Sequence, residues 1–200
     1  MQFKLSKEQN EKLKAFSVEV IERNKLHNLT GYKNAQNFFN EQIIDSVTAL
    51  RACRKSLQDD IVDCGSGAGV PAIVWAIMDP QKTLHSIDKN QKKIHFQNKM
   101  INKLNLSNIG AHHTRIEDYA LEKPHTVVLK AFSSIYKSLT LLKSRNQQKN
   151  FIFIKKADKK TEEELLQVPA LLYDYKKHQY ALNKEKMVAI ELYDSKNSHN

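Results

Sequence analysis

The chain predicts an α/β fold: a mostly parallel sheet that ends in an antiparallel hairpin. Three observations carry this. Short apolar runs alternate with helical patterns from residue 59 onward. A glycine-rich turn, Gly65-Ser66-Gly67-Ala68-Gly69, joins the first of these runs to a helix. The last two apolar runs are separated only by Asn183-Lys184-Glu185, too short for a crossover, so they must pair antiparallel. The expected result is a seven-stranded mixed sheet with a C-terminal hairpin. Residues 1–58 precede it as a helical extension, and residues 59–200 form the α/β domain, packed together as one body.

Within the extension, Ser6 and Gln9 have the spacing of a capping box. Leu13, Phe16, Val20 and Ile21 then recur at helical period up to about Arg23, where a polar break begins. A second helix is expected from about Asn37 to Arg54, with Phe39, Ile43, Val47 and Leu50 on one face. Ile61 and Val62 read as the first, buried strand. Pro71 suits the first turn of the helix that follows, where a missing N–H is no loss. Strands are then expected at Thr83–Ile87, Ile109–Thr114, Thr126–Lys130 and Phe151–Ile154. Helices fall between them at Gln91–Leu104 and Ser134–Lys143, and a charged one follows at Thr161–Leu166. Leu171–Leu182 and Lys186–Tyr193 close the chain as the hairpin.

Composition narrows the function classes. A net charge of +10 suits a polyanionic partner such as RNA. No apolar run is long enough to span a membrane, and the N-terminus lacks the apolar segment of a signal peptide. Cys53 and Cys64 have neither metal nor redox spacing, so a reduced, cytoplasmic protein is expected. His112 and His113 are neighbours in a strand and face opposite ways; the other histidines, His199 included, show no ligand spacing, so no metal is expected.

The chemistry centres on Asp63 to Pro71. Alternating glycines permit positive φ and let a ligand lie against the backbone. A dinucleotide loop wants a third glycine where Val70 stands. The pattern D-x-G-x-G-x-G instead resembles the first motif of class I, Rossmann-like S-adenosylmethionine-dependent methyltransferases, where a carboxylate lies near the methionine amino end. Spacing therefore marks Asp63, Gly67 and Gly69 for the cofactor. Asp88, at the end of the second strand, is placed to accept from a ribose diol. Arg115 to Asp118 follow the third strand, beside the expected adenine edge. Lys130-Ala131-Phe132 leave the carboxyl end of the fourth, where a cation could hold a carboxylate and Phe132 could stack a base.

Taken together, these segments resemble the GidB (RsmG) family, bacterial 16S rRNA guanine-N7 methyltransferases, from about Arg23 to Ile190. Asn24-Lys25 with Asn28-Leu29-Thr30 is similar to W-N-K-x-x-N-L-T, and Ile43-Ile44-Asp45-Ser46 to H-[IL]-L-D-S. Asp63 to Pro71, Asp88 to Lys93, Arg115-Ile116-Glu117, Lys130-Ala131-Phe132 and Phe153-Ile154-Lys155 follow in the family's order. The chain departs from the pattern at Arg23, Gln42, Ala72, Lys130 and Lys156. The resemblance implies cofactor contacts at Gly65, Val70, Ile116, Glu117 and Lys130, and substrate contacts at Asn28 and Lys155. It further implies S-adenosyl-L-methionine as methyl donor, guanine 527 of 16S rRNA in the 30S subunit as acceptor, and a monomer. Two other readings stand beside this one. They are a nicotinamide-dependent oxidoreductase, against which Val70 and the hairpin count, and a non-catalytic rRNA-binding assembly factor with a vestigial cofactor pocket, which the departures at Gln42, Ala72 and Lys130 keep open.

Overall fold

Strands β1 (Asp60–Cys64), β2 (Thr83–Asp88), β3 (Ile109–His113), β4 (His125–Lys130), β5 (Lys149–Lys156), β6 (Tyr173–Leu182) and β7 (Glu185–Asp194) form one sheet. Their order is β3-β2-β1-β4-β5-β7-β6. The computed structural model describes residues 5–142 and 149–195. Lys143, expected to end a helix, and His199 lie outside them.

The first five strands pair in parallel, and β7 inserts antiparallel between β5 and β6. That is the expected mixed sheet. All five residues of β1 are buried, as expected of a central parallel strand covered on both faces. Strand alternation sends Ile61 into one apolar cluster and Val62 into the other. The first cluster joins the sheet to the N-terminal helices through Leu13, Phe16, Phe38 and Trp75. The second lies under the two helices nearest the C-terminus. Strand order reverses between β1 and β4, which opens a crevice at their carboxyl ends.

Helix α1 (Lys7–His27) carries the expected capping box at Ser6 and Gln9. It runs past Arg23 to His27, because the polar residues beyond Arg23 continue the helix, and ends at Asn28 with φ 48°. The next helix starts two residues before the expected Asn37. It comprises α2 (Ala35–Phe38), capped by Asn34, a π-helical turn (Phe39–Ile43) and α3 (Ile44–Cys53). Pro71 caps α4 (Ala72–Met78) from outside its first turn. Helices α5 (Gln91–Lys103), α6 (Ile135–Leu142) and α7 (Lys159–Leu165) follow, with Asn90 and Asp158 as side-chain caps of α5 and α7. Between β3 and β4 the described chain makes a 3-10 turn (Ile116–Asp118) in place of a full helix. The hairpin turns on Asn183 and Lys184 alone, with Asn183 at φ 46°, so Glu185 already belongs to β7.

Candidate functional site

Leaving β1, the chain turns under the end of β2. The Gly65 and Ser66 N–H groups both donate to the Ile87 carbonyl at 2.9 Å. Gly65, Gly67 and Gly69 have φ of 73°, 60° and 94°, a region where only glycine is unstrained. Their tasks differ. At Gly69 a Cβ would lie 2.6 Å from Ile73 Cδ1, so this glycine admits helix α4 to the loop. At Gly65 a Cβ would lie 2.6 Å from the Phe132 ring. Above Gly67 nothing comes closer than 3.9 Å, which leaves its face to a ligand.

Two side chains fix the loop. Asp88 accepts from Gly67 N–H at 3.0 Å and from Asn90 N–H at 2.8 Å, with Lys93 Nζ at 3.9 Å. Fully buried Gln97 on α5 donates to Gly67 O at 2.9 Å and to Ser66 Oγ at 2.8 Å. Its own carbonyl accepts from Ser86 Oγ at 2.5 Å.

Asp63 is 1% exposed, and its Oδ2 accepts from Ala72 N–H at 3.0 Å. Burial pushes its carboxyl up to about 7, against the pull of the Ala72 N–H and Lys130. Lys130 ends β4 and turns away from the glycine loop. It pairs with Asp45 of α3 at 2.9 Å and donates to Ser46 Oγ at 3.2 Å. Tyr180 on β6 donates to the other Asp45 oxygen at 2.7 Å. Next to Lys130, Ala131 has φ 53°, a strained conformation for a side chain with a Cβ. That bend carries Phe132 back over Gly65.

A cavity of about 310 Å³ opens beside the loop, lined by Gly65, Asp88, Lys93, Ile116, Glu117 and Phe132, among others. Its far wall, the turn at 116–118, is anchored through Tyr119. Tyr119 Oη lies 2.8 Å from His85 Nδ1, and His85 Nε2 lies 2.9 Å from Asp60 Oδ1. A carboxylate only accepts, so Nε2 carries the proton and Nδ1 receives the Tyr119 O–H. Lys123 binds the second Asp60 oxygen at 2.8 Å. Burial works to raise the Asp60 carboxyl, but Lys123 and His85 outweigh it and hold it below its ordinary value.

A larger cleft of about 1000 Å³ lies beyond the Lys130-Ala131-Phe132 ridge. It is bounded by the turn after α1, the start of α3, the end of β5 and the hairpin tip. Lys155, Lys156, Lys160 and Lys184 face it. Lys155 is tied to Glu164 at 2.7 Å and Lys156 to Glu185 at 2.8 Å.

The structure thus brings Gly65, Asp88, Ile116, Glu117 and Phe132 to one cavity. Gly67 sits in the loop beside it, bonded to Asp88, whereas Gly69 and Val70 pack into the protein. Asp63 lies buried beneath the loop. Lys130 and Lys155 line the larger cleft, separated from the first cavity by Phe132. Asn28 is the exposed cap of α1, on a turn that Asn24 holds through Thr30 N–H and Tyr32 O. Sequence reasoning missed Gln97, His85, Tyr119, Tyr32 and Tyr180. Helical spacing does place Gln97 on the buried face with Ile94 and Ile101, which was a usable signal. Among the described residues no group of three metal-ligating side chains converges.

Known proteins share this fold. M. capricolum TrmK, solved with S-adenosyl-homocysteine, superposes with a TM-score of 0.53 at 17% identity, over 68% of this chain and 62% of that one. The fold is the Rossmann-like methyltransferase fold. The ribosomal RNA small subunit methyltransferase G of Wolinella succinogenes is 35% identical over 131 residues, 66% of each chain. Its counterpart in Pseudomonas syringae pv. tomato is 33% identical over 132 residues, 66% of this chain and 61% of that one. The matched stretch therefore spans just under two thirds of these relatives' length. The family model described as rRNA small subunit methyltransferase G matches residues 9–190, taking in the loop, both cavities, β1 to β6 and the first part of β7, and the chain belongs to that family.

Proposed function

We propose that this chain transfers the methyl group of S-adenosyl-L-methionine to N7 of guanine 527 in 16S rRNA of the small ribosomal subunit. The carrying observation is the pair of cavities that meet at Lys130-Ala131-Phe132. One has the glycine loop, an acidic ribose acceptor in Asp88 and a volume suited to a nucleoside. The other is wide and edged with lysines, as a polyanion requires. Both belong to one chain, consistent with action as a monomer, and a ribosomal substrate supports a cytoplasmic location.

The residues present fit the cofactor. Open space over Gly67, the Asp88 carboxylate and the 116–117 backbone would hold its ribose and adenine; Asp63, buried beneath the loop, acts on it only through the loop it supports. When bound, the cofactor supplies a methyl on a positively charged sulfur. Guanine N7 has an in-plane lone pair and no proton to lose, so this chain needs no general base. Its residues orient the base in line with the methyl and exclude water. Phe132, on the ridge, is placed to cover the reacting edge. The base must be drawn out of folded RNA to arrive there.

The test is incubation with tritiated-methyl cofactor and 30S subunits from a strain lacking this protein. Incorporation of one methyl per subunit is expected. Cofactor bound without transfer would instead support the assembly-factor reading.

A further inference from the structure

We propose that Tyr32 and Glu41 read the target purine: the Tyr32 ring stacks on the extruded guanine, and Glu41 accepts from its N1–H and 2-amino group. The inference rests on the methyl-transfer reading above and deepens it.

It follows from what the large cleft leaves unused. Among the described residues, Tyr32 is the one aromatic side chain lining it. The carboxylates there are otherwise engaged. Asp45 holds Lys130 and Tyr180. Glu164 holds Lys155 and accepts from Ile135 N–H at 3.0 Å. Glu185 holds Lys156, and Asp158 caps α7 through Thr161 N–H at 2.9 Å. Among the described carboxylates of the cleft, Glu41 is the one that neither pairs with a lysine nor caps a helix. Its Oε2 accepts from the Tyr32 hydroxyl at 2.9 Å, and the exposed carboxylate lines the cleft.

The pair is also oriented before any base arrives. Gln42 Nε2 donates to Tyr32 Oη at 3.0 Å, so the phenol is gripped from both sides. Phe38 meets the Tyr32 ring edge-on, 5.8 Å between centroids. Lys130 Nζ reaches the Gln42 carbonyl at 3.4 Å, linking this wall to the ridge beside the first cavity. A guanine with N7 toward that ridge turns its N1–H and 2-amino edge the opposite way.

The chemistry selects guanine and assists the reaction. Adenine would present an N1 lone pair to the carboxylate and would be repelled. As the N7–methyl bond forms, the purine gains positive charge. Its N1–H becomes a stronger donor to Glu41, and its cationic face gains from the electron-rich Tyr32 ring. Both interactions strengthen toward the transition state, where they accelerate transfer.

The experiment measures kcat/KM on 30S subunits reconstituted with guanosine or inosine at the target. Inosine keeps N7, O6 and N1–H and lacks only the 2-amino group. Wild type should prefer guanosine by roughly tenfold or more. Glu41→Gln should lower guanosine turnover by a similar factor and bring the guanosine-to-inosine ratio close to one. Tyr32→Leu should slow both substrates, with the fold retained by circular dichroism and cofactor binding unchanged by calorimetry. A wild-type ratio retained in Glu41→Gln, or full turnover by Tyr32→Leu, overturns the assignment. Failure of the wild type on guanosine subunits would instead overturn the methyl-transfer reading, and this inference with it.

Discussion

Replacing Asp63 by Asn should change how stability depends on pH, in a direction fixed by burial. Asp63 is 1% exposed and accepts a hydrogen bond from Ala72 N–H. Burial moves its carboxyl from an ordinary 3.8 to about 7. Between roughly pH 4 and 7 the folded state therefore holds a proton that the unfolded state has released. Stability contributed by the protonated group is fully present below about pH 4. It declines as pH rises and is lost above about 7. At about 1.4 kcal/mol per unit, the displacement amounts to something on the order of 4 kcal/mol. Asn keeps an acceptor for Ala72 N–H and does not titrate. Its amide donors, if unpaired, would cost about 1–3 kcal/mol. Urea unfolding of both proteins at pH 5 and pH 8 measures the difference. The variant should gain on wild type by a few kcal/mol between the two pH values, since surface groups titrate alike in both. Parallel stability–pH curves would refute the assignment of the raised carboxyl to Asp63.

Further outcomes follow from the same geometry. Both Gly67→Ala and Gly69→Ala strain a positive-φ backbone, but only Gly69→Ala also drives a Cβ into Ile73, so it should lower the melting temperature more, whereas Gly67→Ala should weaken cofactor binding more by calorimetry; equal effects on both readouts would contradict the division of labour. Tyr119→Phe strips His85 of its donor, costing about 1–3 kcal/mol, and should weaken cofactor binding through the 116–118 turn; an unchanged Kd would detach the turn from the pocket. Asp45→Asn leaves the largely covered Lys130 without its counter-charge and should destabilise by about 3 kcal/mol, much of it recovered on adding Lys130→Met; additive losses would show no coupling.

The sheet was legible because apolar runs and glycine punctuation are local signals. Ile61-Val62, the glycine loop and the short link at Asn183 each carry their own geometry, so strand number and hairpin direction could be read. Element ends were less legible. Nothing apolar marks the last turn of α1, where Leu26 is 71% exposed, and a π-helical turn has no period of its own to detect. The first cavity could be anticipated because its lining follows consecutive strand ends. The second could not. It joins Tyr32, Lys130, Lys155 and Lys184, which are far apart in sequence and meet only when the helices and hairpin pack. Lys130 illustrates the limit. Its position at the end of β4 marked it for the cofactor, yet Asp45, 85 residues earlier, decides where its charge rests.

The most direct measurement of the central claim locates the methylated atom. Subunits from a strain lacking this protein are treated with the enzyme and cofactor, and their 16S rRNA is then cleaved with borohydride and aniline, which cut at N7-methylguanine. The account predicts one new cleavage, dependent on both enzyme and cofactor. Methyl label in the RNA without that cleavage would contradict transfer to N7.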